Sequence, residues 1–433
     1  MKLAINGGQK LRTSPFPAYN TIDKKEEEAV LRVLRSGKLS TYLGTWHKDF
    51  YGGSEVKALE HEWADFFNAK HAISVNSATS GLYAAVGAIG IKPGDEVIVT
   101  PYTMSASATA ILLYGGIPVF ADVEAEHFCI DPKSVEKLIT PKTKAIMAVD
   151  LFGQACDFKA LKKIAKKYDL KIIEDVAQAP YGKLGNEFTG TLGDIGVFSL
   201  NYHKHIHCGE GGIVVTNDDE LAFKIQLIRN HAEAVIDAQG YKDKQELHNM
   251  LGFNFRMTEI EAAISRVQLT KLEKLIKERI ENVTYLENQL KNIPCLEIPP
   301  VRAGAKHVYY VHSMLFKEES TSLKRNRFID AVKAELPPTM MRDDSTVLLG
   351  YGYVKPLYLQ PLYQEKVCFG KYPFSLSNRV YKKGDCPVCE KLHNDTLITH
   401  EFMRPGMNKK DLDDVVKAFE KVWENKEEIL NKN

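Results

Sequence analysis

Net charge is almost absent from this chain: 57 Lys and Arg stand against 56 Asp and Glu among 433 residues. That balance removes the electrostatic basis for gripping nucleic acid or an anionic membrane surface. Cysteine is scarce, with seven residues scattered at 129, 156, 208, 295, 368, 386 and 389. An odd, unevenly spaced set excludes a disulfide framework and reads as the reduced thiols of a cytoplasmic protein. Long apolar runs are missing too. The longest, around "GLYAAVGAIGI", is interrupted by glycines and too short to cross a bilayer. No apolar segment follows the opening "MKLAINGGQK", so no secretory leader is expected there.

What is present is core-forming material. With 44% of residues hydrophobic and 26% charged, the chain suits one large unit and a smaller one. Lys24 to Leu34 and Glu55 to Phe67 predict surface helices, with an aromatic, glycine-containing loop over 41–53 between them. From His71 onward, β-branched runs alternate with helical patterns. "HAISVN", "DEVIVTP", "IPVFADV", "KAIMAVDLF", "LKIIEDV", "IGVFSL" and "GIVVTN" read as strands. The fold class this predicts is α/β, with a mainly parallel sheet covered on both faces. After Thr258 one long helical pattern runs to Pro294, "HVYYVHSMLF" reads as a strand, and helices follow. The expected division is 1–257 as the large unit with an N-terminal helical arm, and 258–433 as a connecting helix and smaller α/β unit. The stretch 337–382, rich in Tyr, Pro and Gly, is expected to be an extended loop excursion, and "ENKEEILNKN" a solvated helix end.

Chemistry concentrates in three places. Asp175 ends the apolar run "LKIIED", and open parallel sheets bind ligands outside the carboxyl ends of their strands. A buried acid there needs a cation or a proton, although capping the next helix would also explain it. Lys204 follows a later strand, 29 positions on, in the polar loop of "FSLNYHKHIHCGEGGIVVTND". Alone it is an ordinary surface lysine. Together the two suit pyridoxal phosphate, which needs a lysine for its Schiff base, a carboxylate against its ring nitrogen and a phosphate cradle. The cradle candidate is "NSATSGL", where the N–H groups of a helix start can face an anion and Thr79 adds a hydroxyl.

At these motifs the sequence resembles the DegT/DnrJ/EryC1/StrS aminotransferases. The most specific segments are "EDVAQA", "FSLNYHKHIHCGEGGIVVTND" and "GFNFRMTEIEAAI", and the likeness covers nearly the whole chain. The resemblance implies the aspartate aminotransferase-like fold (pyridoxal-phosphate fold type I) with a seven-stranded sheet. By position, Lys204 matches the Schiff-base lysine, Asp175 the partner of the ring nitrogen, and Gln178 the residue beside the phenolic oxygen. Ser199, Thr79 and the backbone at Ala78 match phosphate ligands. Asn254 matches a phosphate ligand donated by the neighbouring subunit, which implies a homodimer with shared sites. Met104 stands where the family usually stacks an aromatic ring. A related subgroup of sugar dehydratases has histidine in the lysine slot; counting 29 from Asp175 and five back from Gly209 puts Lys204 there, not His203 or His205.

The alternating histidines 203, 205 and 207 beside Cys208 lack a second ligand cluster, so no metal is expected. "CPVCEKLH" reads as a helix start with two spare thiols. Arg256 is a candidate for a substrate anion or a dimer brace, and Tyr309 and His312 are weaker substrate-side candidates. The implied activity is transfer of an amino group, with glutamate as donor, to a keto sugar, most readily one on a nucleotide, in amino-sugar or surface-polysaccharide biosynthesis. A pyridoxal-dependent sugar dehydratase or deoxygenase, or an aminotransferase for a keto-cyclitol or keto sugar acid, stays open, as does a cofactor-holding binding protein.

Overall fold

The computed structural model describes residues 2–238, 247, 249, 251–338 and 347–430. Two helices, α1 (Lys24–Ser36) and α2 (Ser54–Phe67), lead into β1 (His71–Val75), α3 (Ala78–Ala88), β2 (Glu96–Val99), α4 (Ala106–Leu113) and β3 (Ile117–Phe120). The alternation continues through α5 (Pro132–Leu138), β4 (Thr143–Val149), α6 (Phe158–Tyr168) and β5 (Lys171–Asp175). A small hairpin, β6 (Lys183–Leu184) and β7 (Glu187–Phe188), precedes β8 (Ile195–Ser199) and β9 (Gly212–Thr216). Seven of these strands form one sheet in the order β1-β9-β8-β5-β4-β2-β3. Strand β9 runs antiparallel to β1 and β8, and the remaining pairs are parallel. This is the mainly parallel seven-stranded sheet the sequence implies. Strands β2, β3, β8 and β9 are buried throughout, which is why they read as apolar runs rather than alternations. Helix α6 covers the sheet with Phe158, Leu161, Ile164 and Ala165, while Asp157 caps it through the Ala160 N–H at 3.0 Å.

The second half contributes α7 (Asp219–Arg229), α8 (Ala232–Val235), α9 (Glu259–Leu269), α10 (Leu272–Leu290), β10 (Leu296–Glu297), β11 (Ala305–Lys306) and β12 (His312–Phe316). It ends with α11 (Arg325–Glu335), β13 (Leu349–Tyr351), α12 (Pro361–Gln364), α13 (Pro387–Lys391), β14 (Leu397–His400), α14 (Lys409–Glu424) and α15 (Glu427–Leu430). Four strands form an antiparallel sheet, β10-β12-β14-β13, over a second core. Leu3 and Phe16 join that core from the other end of the chain.

Three expectations need correction. The single long helix after Thr258 is two, because the bonds tighten at the break: Thr270 N–H reaches Val267 O at 3.1 Å and Lys271 N–H reaches Gln268 O at 3.0 Å. The Thr270 hydroxyl also donates to Val267 O at 2.6 Å, the local competition that favours ending a helix. The described part of 337–382 is not an extended loop, since Leu357, Tyr358, Tyr363, Phe374 and Tyr381 are buried in the first core; residues 339–346 lie outside the described residues. The C-terminal segment is docked rather than solvated. Ile429 is buried, and the Glu428 carboxylate accepts from Leu3 N–H and Asn6 Nδ2, each at 3.1 Å; residues 431–433 lie outside the described residues.

Burial keeps His205, His307 and His400 neutral. Phe402 N–H donates to His400 Nδ1 at 3.3 Å, so His400 Nε2 carries the proton facing His312 Nδ1 at 2.7 Å. His312 Nε2 then donates to Glu287 at 3.0 Å. Burial pushes His205 and His400 well below the ordinary histidine range and His307 down to about 3. A histidine depressed on folding contributes stability that is fully present above its unfolded value, about 6.5, and is lost as pH falls below it. Each such residue changes stability by about 1.4 kcal/mol per pH unit in that window. Thermal melts between pH 7.5 and 5.5 are therefore expected to show a falling midpoint, and a flat profile would refute the neutral assignment.

Candidate active site

The carboxyl ends of the parallel strands open onto a cavity of about 210 Å³. Ser77, Ala78 and Thr79 reach it from the turn after β1, and Thr103 and Met104 from the turn after β2. Asp175, Ala177 and Gln178 follow β5, while Ser199, Asn201, His203, Lys204 and Glu210 come from β8 and the loop behind it. Tyr310 and Tyr353 close the opposite wall.

Asp175 is 5% exposed, and its two oxygens are fixed independently. Ser107, buried on α4, donates its hydroxyl to Oδ2 at 2.7 Å, and Ala177 N–H donates to Oδ1 at 3.1 Å. Burial raises the Asp175 carboxyl above the usual range, while these bonds and the Lys204 charge pull it back down. Each oxygen keeps lone-pair capacity for a cationic ring N–H. Removing the Ser107 hydroxyl takes away a charge-assisted bond of about 1.5–3 kcal/mol. Ser107→Ala is expected to lower kcat roughly ten- to a hundredfold and to move the acid limb of the pH–rate profile upward. An unchanged limb would show that Ser107 does not tune Asp175.

Lys204 is 8% exposed, on a loop closed by Cys208 N–H donating to Leu200 O at 3.1 Å and Leu200 N–H donating to Gly211 O at 2.9 Å. Tyr19 pins the loop from the N-terminal arm, its hydroxyl donating to His205 O at 2.6 Å. The three neighbouring histidines diverge: His203 lines the cavity, His205 Nε2 meets Val308 O at 3.0 Å, and His207 lies beside Gln268. Burial drives the Lys204 amine down to about 8, against the pull of Asp175 and Glu401. Among the described residues no carboxylate stands within ion-pair distance of its Nζ.

The remaining groups fit pyridoxal phosphate. The Ser77 side chain caps α3 by accepting from Ser80 N–H at 3.1 Å, and the Ala78 and Thr79 N–H groups have no intrahelical acceptor. This turn sits hard against β9: a Cβ on Gly212 would stand 2.7 Å from Ala78 N, so only glycine allows the approach. An anion meets N–H groups and a helix dipole there, with the Ser199 and Thr79 hydroxyls at hand. Gln178 is held in one orientation, Oε1 accepting from Phe152 N–H at 2.8 Å and Nε2 donating to the Tyr353 hydroxyl at 3.1 Å. Its second N–H remains for a phenolic oxygen in the cavity.

Not every candidate gathers here. Met104 lines the cavity but is 62% exposed. Asn254 is exposed and outside this chain's cavity, bridged to Asn230. Arg256 braces that bridge, with Nε on Asn254 Oδ1 at 2.8 Å and Nη1 on Asn230 Oδ1 at 3.1 Å. Tyr309 and His312, the weaker substrate-side candidates, do not line this cavity. The strand begins only at His312, and Tyr309 takes a positive φ of 49°, so the expected alternation fails. Tyr309 stacks on His307 at 3.9 Å and Tyr310 faces the cavity instead. Sequence reasoning also missed Ser107 and Tyr353. Cys386 and Cys389 are buried thiols at the start of α13, as that motif suggested.

The architecture and its neighbours make this a fold type I, pyridoxal-phosphate-dependent aminotransferase. The chain belongs to the DegT/DnrJ/EryC1/StrS aminotransferase family, whose model matches residues 20–420. It is similar to the GDP-perosamine synthase of Caulobacter vibrioides, 36% identical over 73% of this chain and 82% of that one. It is 29% identical to the L-glutamine:2-deoxy-scyllo-inosose aminotransferase of Streptomyces fradiae, over 97% of both chains. The X-ray structure of the aminotransferase from Psychrobacter cryohalolentis matches with a TM-score of 0.80 at 27% identity, covering 95% of this chain and 99% of that one. Among the described residues no helix is long and apolar enough to cross a membrane.

Proposed function

We propose that this enzyme transfers an amino group from glutamate to a keto sugar carried on a nucleotide, in the cytoplasm, as a step in making an amino sugar for a surface polysaccharide. The observation that carries the catalytic part is the convergence of Lys204 and Asp175 on one cavity at the strand ends. Pyridoxal phosphate supplies the electron sink for the pair left when the donor's Cα proton is removed. Lys204 Nζ, poised near neutral pH, takes that proton and returns it. Asp175 holds positive charge at the ring nitrogen, and Gln178 donates to the phenolic oxygen. Ala78, Thr79 and Ser199 hold the phosphate, and Tyr310, Tyr353 and Met104 enclose the reacting atoms.

Asn254 and Arg256, which lie outside their own chain's cavity, fit a role in the site of a second subunit, so the active form is a homodimer. The acceptor class is supported by the likeness to a GDP-perosamine synthase. A keto-cyclitol is the second reading, supported by the match to a scyllo-inosose aminotransferase along nearly the full length of both chains. Purified enzyme incubated with glutamate and a panel of nucleotide-linked keto sugars, free keto sugars and keto-cyclitols separates them. An aminated nucleotide sugar is the expected product, an aminated cyclitol selects the second reading, and a deoxy sugar without glutamate consumption would overturn both.

A further inference from the structure

The Lys204 amine lies in a setting unusual for a buried cation. It sits 4.2 Å from the centre of the Tyr310 ring, over its face. Tyr310 is 8% exposed and rigidly framed. Its N–H donates to Phe152 O at 2.8 Å, and Val308 N–H donates to Gly153 O at 2.9 Å. Arg279, buried on α10, donates through Nη1 to the carbonyls of Tyr309 and Tyr310 at 3.0 and 3.4 Å. Gly153 makes the approach possible: a Cβ there would lie 2.7 Å from Tyr309 N and 3.0 Å from Tyr310 N. The backbone that carries the ring is therefore held by these bonds, while the ring's face meets the lysine.

We propose that the Tyr310 ring face holds the Lys204 amine whenever it is free, not joined to the cofactor, a positioning contact that keeps it beside the cavity without a carboxylate partner. This rests on the reading of Lys204 as the reacting amine. A carboxylate in direct contact would hold a proton on the nitrogen; a ring face attracts the charged form by only about 0.5–2 kcal/mol. The amine is thus kept in place and still releases its proton near neutral pH. The groups that also act on it are Asp175 from β5 and Glu401 from the turn after β14, both favouring the charged form against burial. His203 and Glu210 from its own loop and Tyr353 share its cavity, and His205 lies behind it, kept neutral by burial.

The ring, not its hydroxyl, is the essential feature, and that is testable on cofactor-free protein. Trace acetylation with acetic anhydride, read by mass spectrometry of the Lys204 peptide, gives the pH midpoint of that single amine. Wild type and Tyr310→Phe are expected to share a midpoint, lying below the ordinary lysine range because the amine is buried. Tyr310→Leu is expected to fall lower by roughly half a unit to one and a half units, because burial is no longer opposed by the ring. Tyr310→Met serves the same purpose should the leucine variant fail to fold. An unmoved midpoint without the ring, or a phenylalanine variant that shifts as far as leucine, overturns the proposal. Adding pyridoxal phosphate to wild type tests the underlying reading separately: protection of Lys204 from acetylation supports it, and unprotected Lys204 refutes it while the ring comparison still stands.

Discussion

Lys204→Ala should abolish turnover while leaving the protein at least as stable as the wild type. The two halves of that expectation come from the same geometry. The side chain is 8% exposed, and its amine carries no ion pair among the described residues, so its charge is desolvated without full compensation. The loop does not depend on it either, being held by Cys208 on Leu200, by Tyr19 on His205 and by His205 on Val308. Removing the amine therefore relieves a burial cost, gives up only the Tyr310 ring contact and breaks no hydrogen bond that shapes the site. Catalysis loses both the covalent anchor for the cofactor and the proton carrier, and the latter alone supplies about 10²–10⁴-fold. A thermal melt, the visible absorbance of protein incubated with pyridoxal phosphate, and glutamate-dependent turnover check the three parts. Lys204→Arg should be equally inactive, since a guanidinium keeps its proton and forms no imine. A destabilised but active Lys204→Ala variant would contradict the assignment outright.

Asp175→Asn has the second largest expected effect. The amide is nearly the same shape and can keep both neighbours, with Oδ1 accepting from Ala177 N–H and Nδ2 donating to a Ser107 hydroxyl that now accepts. The negative charge opposite the ring nitrogen, however, disappears. A loss of about 10²–10⁴-fold in kcat is expected, with binding of pyridoxal phosphate retained through the α3 turn. The pH dependence should move as well. Asp175 pulls the Lys204 amine upward against burial, so without it the amine falls further below about 8, and the limb of the rate profile set by Lys204 shifts to lower pH. A variant that keeps a tenth of wild-type kcat, or a limb that stays in place, would mean that the acid does not face the reacting centre.

How much of this was legible beforehand differs from residue to residue. Asp175 and Lys204 stood out because each ends or follows an apolar run, where open parallel sheets bind ligands, and because the two together, with the family resemblance, suit one cofactor. The seven strands were visible for a related reason, since burial on both faces leaves continuous β-branched runs. Ser107 was invisible because its partner is 68 residues away and nothing local distinguishes it from its serine and threonine neighbours in "TMSASAT". Tyr310 was missed by one position: the doublet "YY" suggested a strand alternation that the positive φ of Tyr309 breaks, and that backbone state is set by the packing of Gly153. Tyr353 belongs to a segment whose tyrosines and prolines suggested a loop, whereas tertiary contact buries much of it against the first core. In each miss the deciding partner comes from another element, where local patterns carry no information.

The central claim is that one amine reaches the cofactor. Incubating the wild-type enzyme with pyridoxal phosphate, reducing with borohydride and mapping the modified peptide tests it most directly. The expected result is a single stable adduct on Lys204, formed in wild type and absent from Lys204→Ala. An adduct on another lysine, or none at all, would contradict it.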